Sequence, residues 1–320
     1  MWKLAFTLAA ALGLLAPASA DTFPAKPVRL IVPFQAGGSD QLYRALAVEL
    51  SNTWRQPVIV ENRPGADSLI GAEFVARSPA DGYTLLATVD TTTVINRFLY
   101  KKLPYDPDKS FAPISLLAQT DFFIVANSKF PASNLRELID YAKANPGKVS
   151  FGSFARGSQA DLMIHAINKR EKVDILTVPY KGVSLSIGAA LAGDVQLASG
   201  GYGVVGQHFK AGKLKPIAMA GKARDSFFPD VSTTAEQGAP YALASIWYGL
   251  YAPAGTPEVI VQRISQDVRA VLQDREFAQK HMVAHGLTPV ASTPQGLADR
   301  IAADVKLTAD LVESANIKPE

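Results

Sequence analysis

Two glycine-containing loops have the composition of an anion-binding site. The first runs from Phe34 to Asp40 and contains Gly37-Gly38, and the second occupies residues 151–159. Each follows an apolar, strand-like run and leads into a helical pattern. The first N–H groups of a helix have no partner within the helix and can donate to an anion. The loops therefore predict binding of a carboxylate or similar anion, although a structural tight turn would explain the first glycine pair equally well.

The second loop has the glycine spacing of a phosphate-binding loop but lacks its lysine. Gly152 and Gly157 are correctly spaced, yet Ser158 stands where that motif requires the lysine. We therefore exclude a nucleotide site at this loop. Arg156 carries the planar pair of N–H donors that binds a carboxylate through two hydrogen bonds. Its alternative interpretation is a solvated loop arginine.

A third motif, from Gly201 to Gly206, matches the dinucleotide-binding pattern letter for letter. The helix that follows it is barely two turns long, and the next strand ends at Gly221-Lys222 without the acidic residue that binds a ribose. The pattern therefore does not indicate a nucleotide cofactor, and we expect no cofactor.

The remaining candidates for chemistry are the histidines. His281 and His285 are four residues apart, as two metal ligands on one helix would be. No glutamate follows His281 and no third ligand is evident, so a partly exposed helix face is the preferred interpretation. All four histidines lie outside the predicted site loops, and no nucleophile motif is recognisable. The sequence therefore predicts neither a metal site nor an enzyme.

The first twenty residues are typical of a secretory signal peptide. Lys3 precedes an apolar run over 4–15, and Ala18-Ser19-Ala20 forms a cleavage site. A buried N-terminal helix is the alternative. No later segment approaches the roughly 20 apolar residues of a membrane helix. We therefore predict a periplasmic mature chain that begins at Asp21 and does not insert into the membrane.

Composition limits the remaining possibilities. A mature chain of this length exceeds what one core usually supports, so two domains are expected. The absence of cysteine excludes disulfides and thiolate metal sites. Without Lys3 the formal charge falls from +3 to +2, with acids and bases interspersed. Such a balance predicts no binding to nucleic acid or to an anionic membrane surface.

Strand-like and helical patterns alternate along the chain. The predicted strands are 28–34, 57–61, 83–89, 122–126, 148–151, 175–178, 195–198 and 215–220. This alternation indicates an α/β fold with mainly parallel sheets, in which ligands bind at the carboxyl ends of the strands.

Several sequence features predict where the helices begin. An amphipathic helix is predicted over 39–54, and Asn134 is expected to cap the next one together with Glu137. Thr256-Pro257 and Thr293-Pro294 each supply a capping residue and a first-turn proline.

Taken together, these segments resemble the Bug family, the extracytoplasmic solute receptors of tripartite tricarboxylate transporters. The resemblance covers nearly the whole mature chain. The segments that carry it are 26–34 with Gly37-Gly38, 60–66, 70–72, 81–86, 178–182, 210–214, 247–250, 252–257 and 317–320.

The resemblance implies a type II periplasmic-binding-protein fold, with two α/β lobes that close on a ligand. It places lobe 1 at residues 21–121 plus 247–320 and lobe 2 at residues 122–246, with crossings near 119–123 and 245–248. It implies that backbone N–H groups, hydroxyls and bridging waters hold a ligand carboxylate. The implied ligand-binding residues are Phe34, Gln35, Ala36, Gly37, Gly38, Ser39, Asp40, Gly65, Ala66, Asp67, Ser68, Ser153, Arg156, Gly157, Ser158, Tyr180, Lys181 and Gly182.

Departures from the family pattern bear on the ligand. The first glycine loop is one residue shorter than usual, and residues 198–201 lack an aspartate that faces an amino or hydroxyl group in many members. Losing that carboxylate disfavours an amino-acid ligand, and Arg156 favours a second acidic group. Asp67 and Ser68 either tune specificity or cap the following helix. Trp247 either plugs the hinge, which we favour, or stacks on an aromatic ligand.

The predicted function is capture of a small mono- or dicarboxylate, aromatic or hydroxylated in some cases, and its delivery to a tripartite membrane permease. We expect the receptor to act as a monomer. A ligand sensor for a membrane kinase would use the same binding chemistry and differ only in its partner. A hydrolase on the same lobes is the other alternative, because fold does not determine function.

Overall fold

The structure is a computed structural model that describes residues 23–37, 40–314 and 317–319. The predicted signal peptide, together with Gly38 and Ser39 of the first loop, lies outside these residues. None of the described helices is both long enough and apolar enough to cross a membrane.

Strands and helices alternate through most of the chain. The strands are β1 (Val28–Val32), β2 (Val58–Asn62), β3 (Thr84–Val89), β4 (Phe111–Asp121), β5 (Phe123–Asn127), β6 (Val149–Ser153), β7 (Ile175–Pro179), β8 (Leu197–Gly200), β9 (Leu214–Met219), β10 (Ser245–Pro253) and β11 (Thr288–Pro289). The α-helices are α1 (Asp40–Trp54), α2 (Leu69–Ala76), α3 (Asn96–Leu99), α4 (Leu135–Ala144), α5 (Gln159–Glu171), α6 (Val183–Ala192), α7 (Tyr202–Lys210), α8 (Glu258–Gln273), α9 (Arg275–His281) and α10 (Pro294–Ser314).

The strands form two sheets. The first has the order β11-β4-β10-β3-β1-β2, and the second has the order β7-β6-β8-β5-β9. Parallel pairs join β1 to β2 and β3, and β6 to β7 and β8. The expectation of mainly parallel sheets fails where the chain passes between the sheets, because β4 pairs antiparallel with β10 and β5 pairs antiparallel with β8 and β9.

The central strands of both sheets are buried on both faces. In β1, Leu30 packs into one apolar cluster and Ile31 into another on the opposite face. In β5, Ile124 and Phe123 divide in the same way. Strands covered on both faces read as continuous apolar runs, which is why these strands were predicted. The edge strands β2 and β7 are only partly buried, but all eight predicted strands are present.

The two long connecting strands, β4 and β10, were not predicted as strands. Pro113 interrupts the pattern of β4, since proline cannot donate to a sheet ladder. In the structure Pro113 pairs with Tyr251 beside a register shift, where the ladder is already irregular. Most of β10 is buried, so it shows no alternation of polar and apolar residues.

Two of the three predicted helix caps are confirmed. The Asn134 side chain accepts a hydrogen bond from the Glu137 N–H at 2.9 Å. Thr293 Oγ1 accepts from the Gly296 N–H at 3.1 Å. The third is wrong by one residue: Pro257 occupies the capping position of α8, and Thr256 Oγ1 instead donates to the Pro253 carbonyl at 2.8 Å.

Trp247 lies beneath the crossing strands in a polar network. Its Nε1 donates to Asp304 of α10 at 2.7 Å, and Arg300 Nε donates to the same carboxylate at 2.8 Å. Arg300 also donates to Gln119 of β4 at 3.0 Å. Because the Trp247 side chain is fully buried among core residues, its position agrees with the hinge interpretation and not with ligand stacking.

Replacing Trp247 by phenylalanine should leave the buried Asp304 carboxylate without one of its donors. We expect a loss of about 1–3 kcal/mol in the free energy of unfolding, and hence a fall of several degrees in Tm. Thermal unfolding followed by circular dichroism measures this. Trp54→Phe is the matched control, since Trp54 Nε1 donates to Asp267 at a surface groove. An equal loss in both variants would contradict the special role of the buried network.

Candidate ligand-binding cleft

A cavity of about 840 Å³ lies between the two sheets. Its walls come from both sides of the molecule and include the first glycine loop, the crossing strands and the starts of two helices of the second sheet. The lining residues are Phe34, Gln35, Ala36, Gly37, Gln41, Leu42, Thr120, Phe122, Lys181, Gly182, Val183, Ser184, Gly201, Gly203, Val204, Ile246, Tyr248, His281, His285 and Leu287.

The electrostatics of this cavity favour a negatively charged ligand. Helices α1, α6 and α7 all begin at its wall. A helix N-terminus presents unpaired N–H groups and a partial positive charge. Lys181 adds a full positive charge, and the described lining residues include no aspartate or glutamate. A carboxylate is therefore a well-matched occupant.

The first loop lines the cavity with its early residues and not with Asp40, its acidic residue. Phe34 to Gly37 line the cavity, but Asp40 does not. The Asp40 carboxylate is buried and accepts hydrogen bonds from the Gly37 N–H at 3.0 Å, from Arg44 at 3.0 Å and from Asn62 at 3.2 Å. Asp40 thus shapes the loop and is itself neutralised.

The loop after β2 has an unusual left-handed backbone. Gly65, Ala66, Asp67 and Ser68 all have positive φ, from 45° to 132°. Ser68 Oγ accepts from Thr92 Oγ1 at 2.8 Å, and Asp67 accepts from the Tyr100 hydroxyl at 2.7 Å. Ser68 occupies the capping position of α2, but its side chain makes no capping hydrogen bond. These four residues do not line the cavity, and their hydroxyl and carboxylate groups are engaged within the first sheet's side of the molecule.

The loop after β6 is also largely internal. Ser153 Oγ lies 3.2 Å from Ser158 Oγ, and Ser158 accepts from the Asp161 N–H at 3.3 Å, which caps α5. The Gly157 N–H donates to Asp161 at 2.7 Å. Arg156 is exposed, and neither it nor its loop lines the cavity.

The segment after β7 does reach the cavity. Lys181 and Gly182 line it directly, and Gly182 precedes α6. Tyr180 lies behind them, with its ring about 3.3 Å from the place a Cβ would occupy at Gly152. Thus Lys181 and Gly182 meet the first loop across the cleft, whereas Tyr180 supports the wall.

Several lining residues were not predicted. Thr120, Phe122, Ile246 and Tyr248 come from the crossing strands, which bring together positions more than a hundred residues apart. Gly201 and Gly203 belong to the motif that was dismissed as a cofactor pattern. His281 and His285 also line the cavity, although neither belongs to a loop that the sequence analysis placed in the site.

The glycines of the second sheet's side allow the two sides to approach closely. A Cβ at Gly203 would lie 2.6 Å from the His285 carbonyl oxygen, and one at Gly201 would lie 2.7 Å from Thr120 Oγ1. At Gly157 it would lie 2.3 Å from Leu99. Real Cβ atoms do not approach other atoms so closely. Gly201 and Gly203 therefore serve contact between the two sides, whereas a Cβ at Gly206 would meet the Tyr202 ring of the same helix. Both requirements are unrelated to nucleotides.

Beneath the cavity, Asp90 joins the two sides. Its carboxylate accepts from Gln159 Nε2 of α5 at 3.3 Å and from the Thr91 N–H at 3.0 Å. Burial, together with the negative charge of Asp304, raises the pKa of Asp90 to about 7. The carboxylate in turn helps raise the pKa of Tyr248, which lines the cavity, to about 12, although burial is the larger cause.

Two mixed α/β units that enclose a cavity suited to an anion form a site of the kind that binds a small molecule. A family model described as "Tripartite tricarboxylate transporter family receptor" matches residues 42–317. Protein BugT of Bordetella pertussis is 36% identical over 280 residues, which cover 87% of this chain and 86% of that protein.

Solved structures agree with this assignment. The R. palustris protein Rpa4515 with adipate superposes with a TM-score of 0.85 at 29% identity, covering 93% of this chain and 100% of that one. MatC from Rhodopseudomonas palustris with bound malate gives 0.78 at 30% identity, with 91% and 100% covered.

This chain belongs to the tripartite tricarboxylate transporter receptor family. The resemblance to Bug receptors and the expected fold class are confirmed. Because the family consists of receptors, the prediction that the chain is not an enzyme is also confirmed.

A methyl group at Gly203 should force the two sides of the cleft apart. For Gly203→Ala we expect a larger radius of gyration than that of the unchanged protein, measured by small-angle scattering, with intact secondary structure. The matched control is Gly188→Ala, since a Cβ at Gly188 in α6 would meet nothing within 4 Å. An unchanged radius in the Gly203 variant would contradict the close contact described above.

The buried Asp90 should make stability depend on pH. Its pKa is raised in the folded state, so the folded protein binds the extra proton between about pH 4 and 7 and loses stability as the pH rises through that window. Asp90→Asn should therefore gain in Tm relative to the unchanged protein as the pH rises from about 5 to 8. The exposed Asp140 provides the control substitution, Asp140→Asn. A Tm difference that stays constant with pH would refute this assignment.

Proposed function

We propose that this chain is an exported receptor that binds a small mono- or dicarboxylate between two lobes and delivers it to the membrane permease of a tripartite transporter. The observation that carries the proposal is the cavity between the sheets. Three helices begin at its wall, Lys181 faces it, and its described lining contains no acidic side chain. A ligand carboxylate would find helix N-termini and the Lys181 ammonium group already in place there, with no acidic side chain to repel it.

The ligands of related proteins support the same chemical class. The structure of Rpa4515 contains adipate and that of MatC contains malate, and both ligands are dicarboxylates. Both proteins superpose on nearly all of this chain. The cavity volume also lies within the range of small-molecule sites.

The proposed lobes are residues 21–121 with 247–320, and residues 122–246. Strands β4 and β10 continue the first sheet up to the crossing, and the second sheet begins at Phe123. A ligand that touches both walls binds the closed arrangement more tightly than the open one and so shifts the population towards closure. At Gly157, Gly201 and Gly203 the backbone lies so close to the opposite side that a Cβ would not fit. This supports the view that the present arrangement is closed.

Within this proposal the contacting residues divide into two groups. Phe34 to Gly37, Lys181 and Gly182 contact the ligand directly, since they line the cavity. The loops at 65–68 and 153–158 hold the surrounding backbone in place, because their side chains are bonded to neighbouring residues. Gly38 and Ser39 remain proposed ligand contacts by their position in the first loop.

Export and transport complete the proposed role. The signal peptide predicted over residues 1–20 would place the mature chain in the periplasm. The family description names a tripartite transporter, which supports a permease as the partner. As a monomer, the receptor would present the closed, loaded cleft to that permease.

Removing the cavity's lysine charge should weaken carboxylate binding. We expect Lys181→Met to lower affinity about tenfold, the order of magnitude for a charge-assisted hydrogen bond in a partly desolvated site. Titration calorimetry on mature protein refolded from denaturant, against a panel of mono- and dicarboxylates, measures this. Lys169→Met removes an exposed charge of α5 and serves as the control.

Thermal shifts provide a second readout. A ligand present at about 100 times its Kd should stabilise the fold by roughly 2.7 kcal/mol. If folded protein showed neither heat nor thermal shift with any carboxylate, the proposed ligand class would be wrong, although the family assignment would stand.

A further inference from the structure

Two histidines lie on the wall of the cavity that faces Lys181. His281 ends α9 and His285 ends a separate 3-10 turn, Val283–His285, so they do not share one helix face. Both line the cavity from the first sheet's side, whereas Lys181 belongs to the second. Side chains that can donate a hydrogen bond therefore lie on two walls of the cavity.

Within the part of the chain that the structure describes, the side chains of His281 and His285 form no hydrogen bond and no ion pair. The aromatic contact of His281 with Phe277, at 5.0 Å between ring centroids, leaves its ring nitrogens free. Unpaired imidazole nitrogens at the wall of a ligand cavity are available as hydrogen-bond donors to whatever occupies it.

We infer that His281 and His285 are specificity-determining residues that bind a second acidic group of the ligand, opposite the carboxylate held at Lys181. The inference rests on the proposed carboxylate-binding function and deepens it. It assigns dicarboxylates as the preferred class and gives each of the two acidic groups its own wall of the cavity. A monocarboxylate would engage Lys181 and leave the histidine wall unused.

The charged surroundings of the histidines are asymmetric. On the side away from the cavity, His281 borders a surface groove that is rich in charged residues from α1, α8 and α9. These residues are Glu49, Asp267, Asp274, Glu276 and Lys280. On the other side, the backbone of His285 abuts Gly203 of α7, and the described cavity lining has no acidic group. The acids thus line the outer groove, and the described lining of the cavity has no carboxylate that would compete for the imidazole N–H groups.

The arrangement predicts a preference for ligands that carry two acidic groups. An imidazole N–H donates a hydrogen bond to a carboxylate oxygen. A monocarboxylate held at Lys181 has no second carboxylate to accept that bond, so it gains nothing from the histidine wall.

The test compares matched ligands by titration calorimetry. The probes are succinate, glutarate, adipate and pimelate, each with the monocarboxylate of equal chain length. For the unchanged mature protein we expect the tightest dicarboxylate to bind roughly tenfold more tightly than its monocarboxylate, the effect of one further hydrogen bond to a charged group. The double variant His281→Leu with His285→Leu removes both donors and should bind dicarboxylates and monocarboxylates with similar affinity.

Two further variants test whether the effect is specific to histidines at the cavity wall. His208→Leu changes a histidine in a groove away from the cleft and should leave binding unchanged. His285→Lys keeps a hydrogen-bond donor at the wall and adds a positive charge, so it should preserve the dicarboxylate preference. A double variant that kept the dicarboxylate preference would overturn the histidine assignment and leave the proposed function intact. A protein that bound no carboxylate would overturn both.

Discussion

The antiparallel pairing of β4 with β10 is the interaction on which the rest of the structure depends. It runs from Phe111 opposite Pro253 to Asp121 opposite Ser245. At that end both strands leave the first sheet, one entering the second sheet and the other returning from it. Because the two crossings are hydrogen-bonded neighbours, the units cannot separate freely, and any relative motion must bend this short ladder.

Helix α10 ties this crossing to the first sheet. Its residues Arg300 and Asp304 bond to Gln119 and Trp247, which lie on the two crossing strands. Inside the core a charge must be paired and hydrogen-bonded to be tolerated, and here one arginine and one indole satisfy one carboxylate. The helix also packs against α5 of the second unit. A single helix thus contacts both units and the strands that join them.

Charge is distributed so that acids stay out of the ligand cavity. The Asp40 carboxylate accepts a hydrogen bond from the Gly37 N–H of the first loop. Asp90 is buried beneath the cavity and accepts one from Gln159. Lys181, which faces the cavity, has no acidic partner among the described lining residues. Helix N-termini contribute further positive potential from the backbone, so no side chain loses conformational entropy to provide it. The cleft therefore selects for negative charge through the combined placement of backbone and side chains, without any metal-like cluster among the described residues.

The sequence by itself determined the α/β class and the eight strands read from apolar runs, because apolar periodicity acts over a few positions. The family came from the resemblance of whole segments, and so did the expectation that Lys181 and Gly182 lie in one cleft with the first loop. Only the tertiary structure decided that Asp40, Ser68 and Ser158 bond inward, and that His281 and His285 reach the cavity. The physical reason is that a side chain's partner is set by elements far away in sequence, which the crossing strands bring within contact distance.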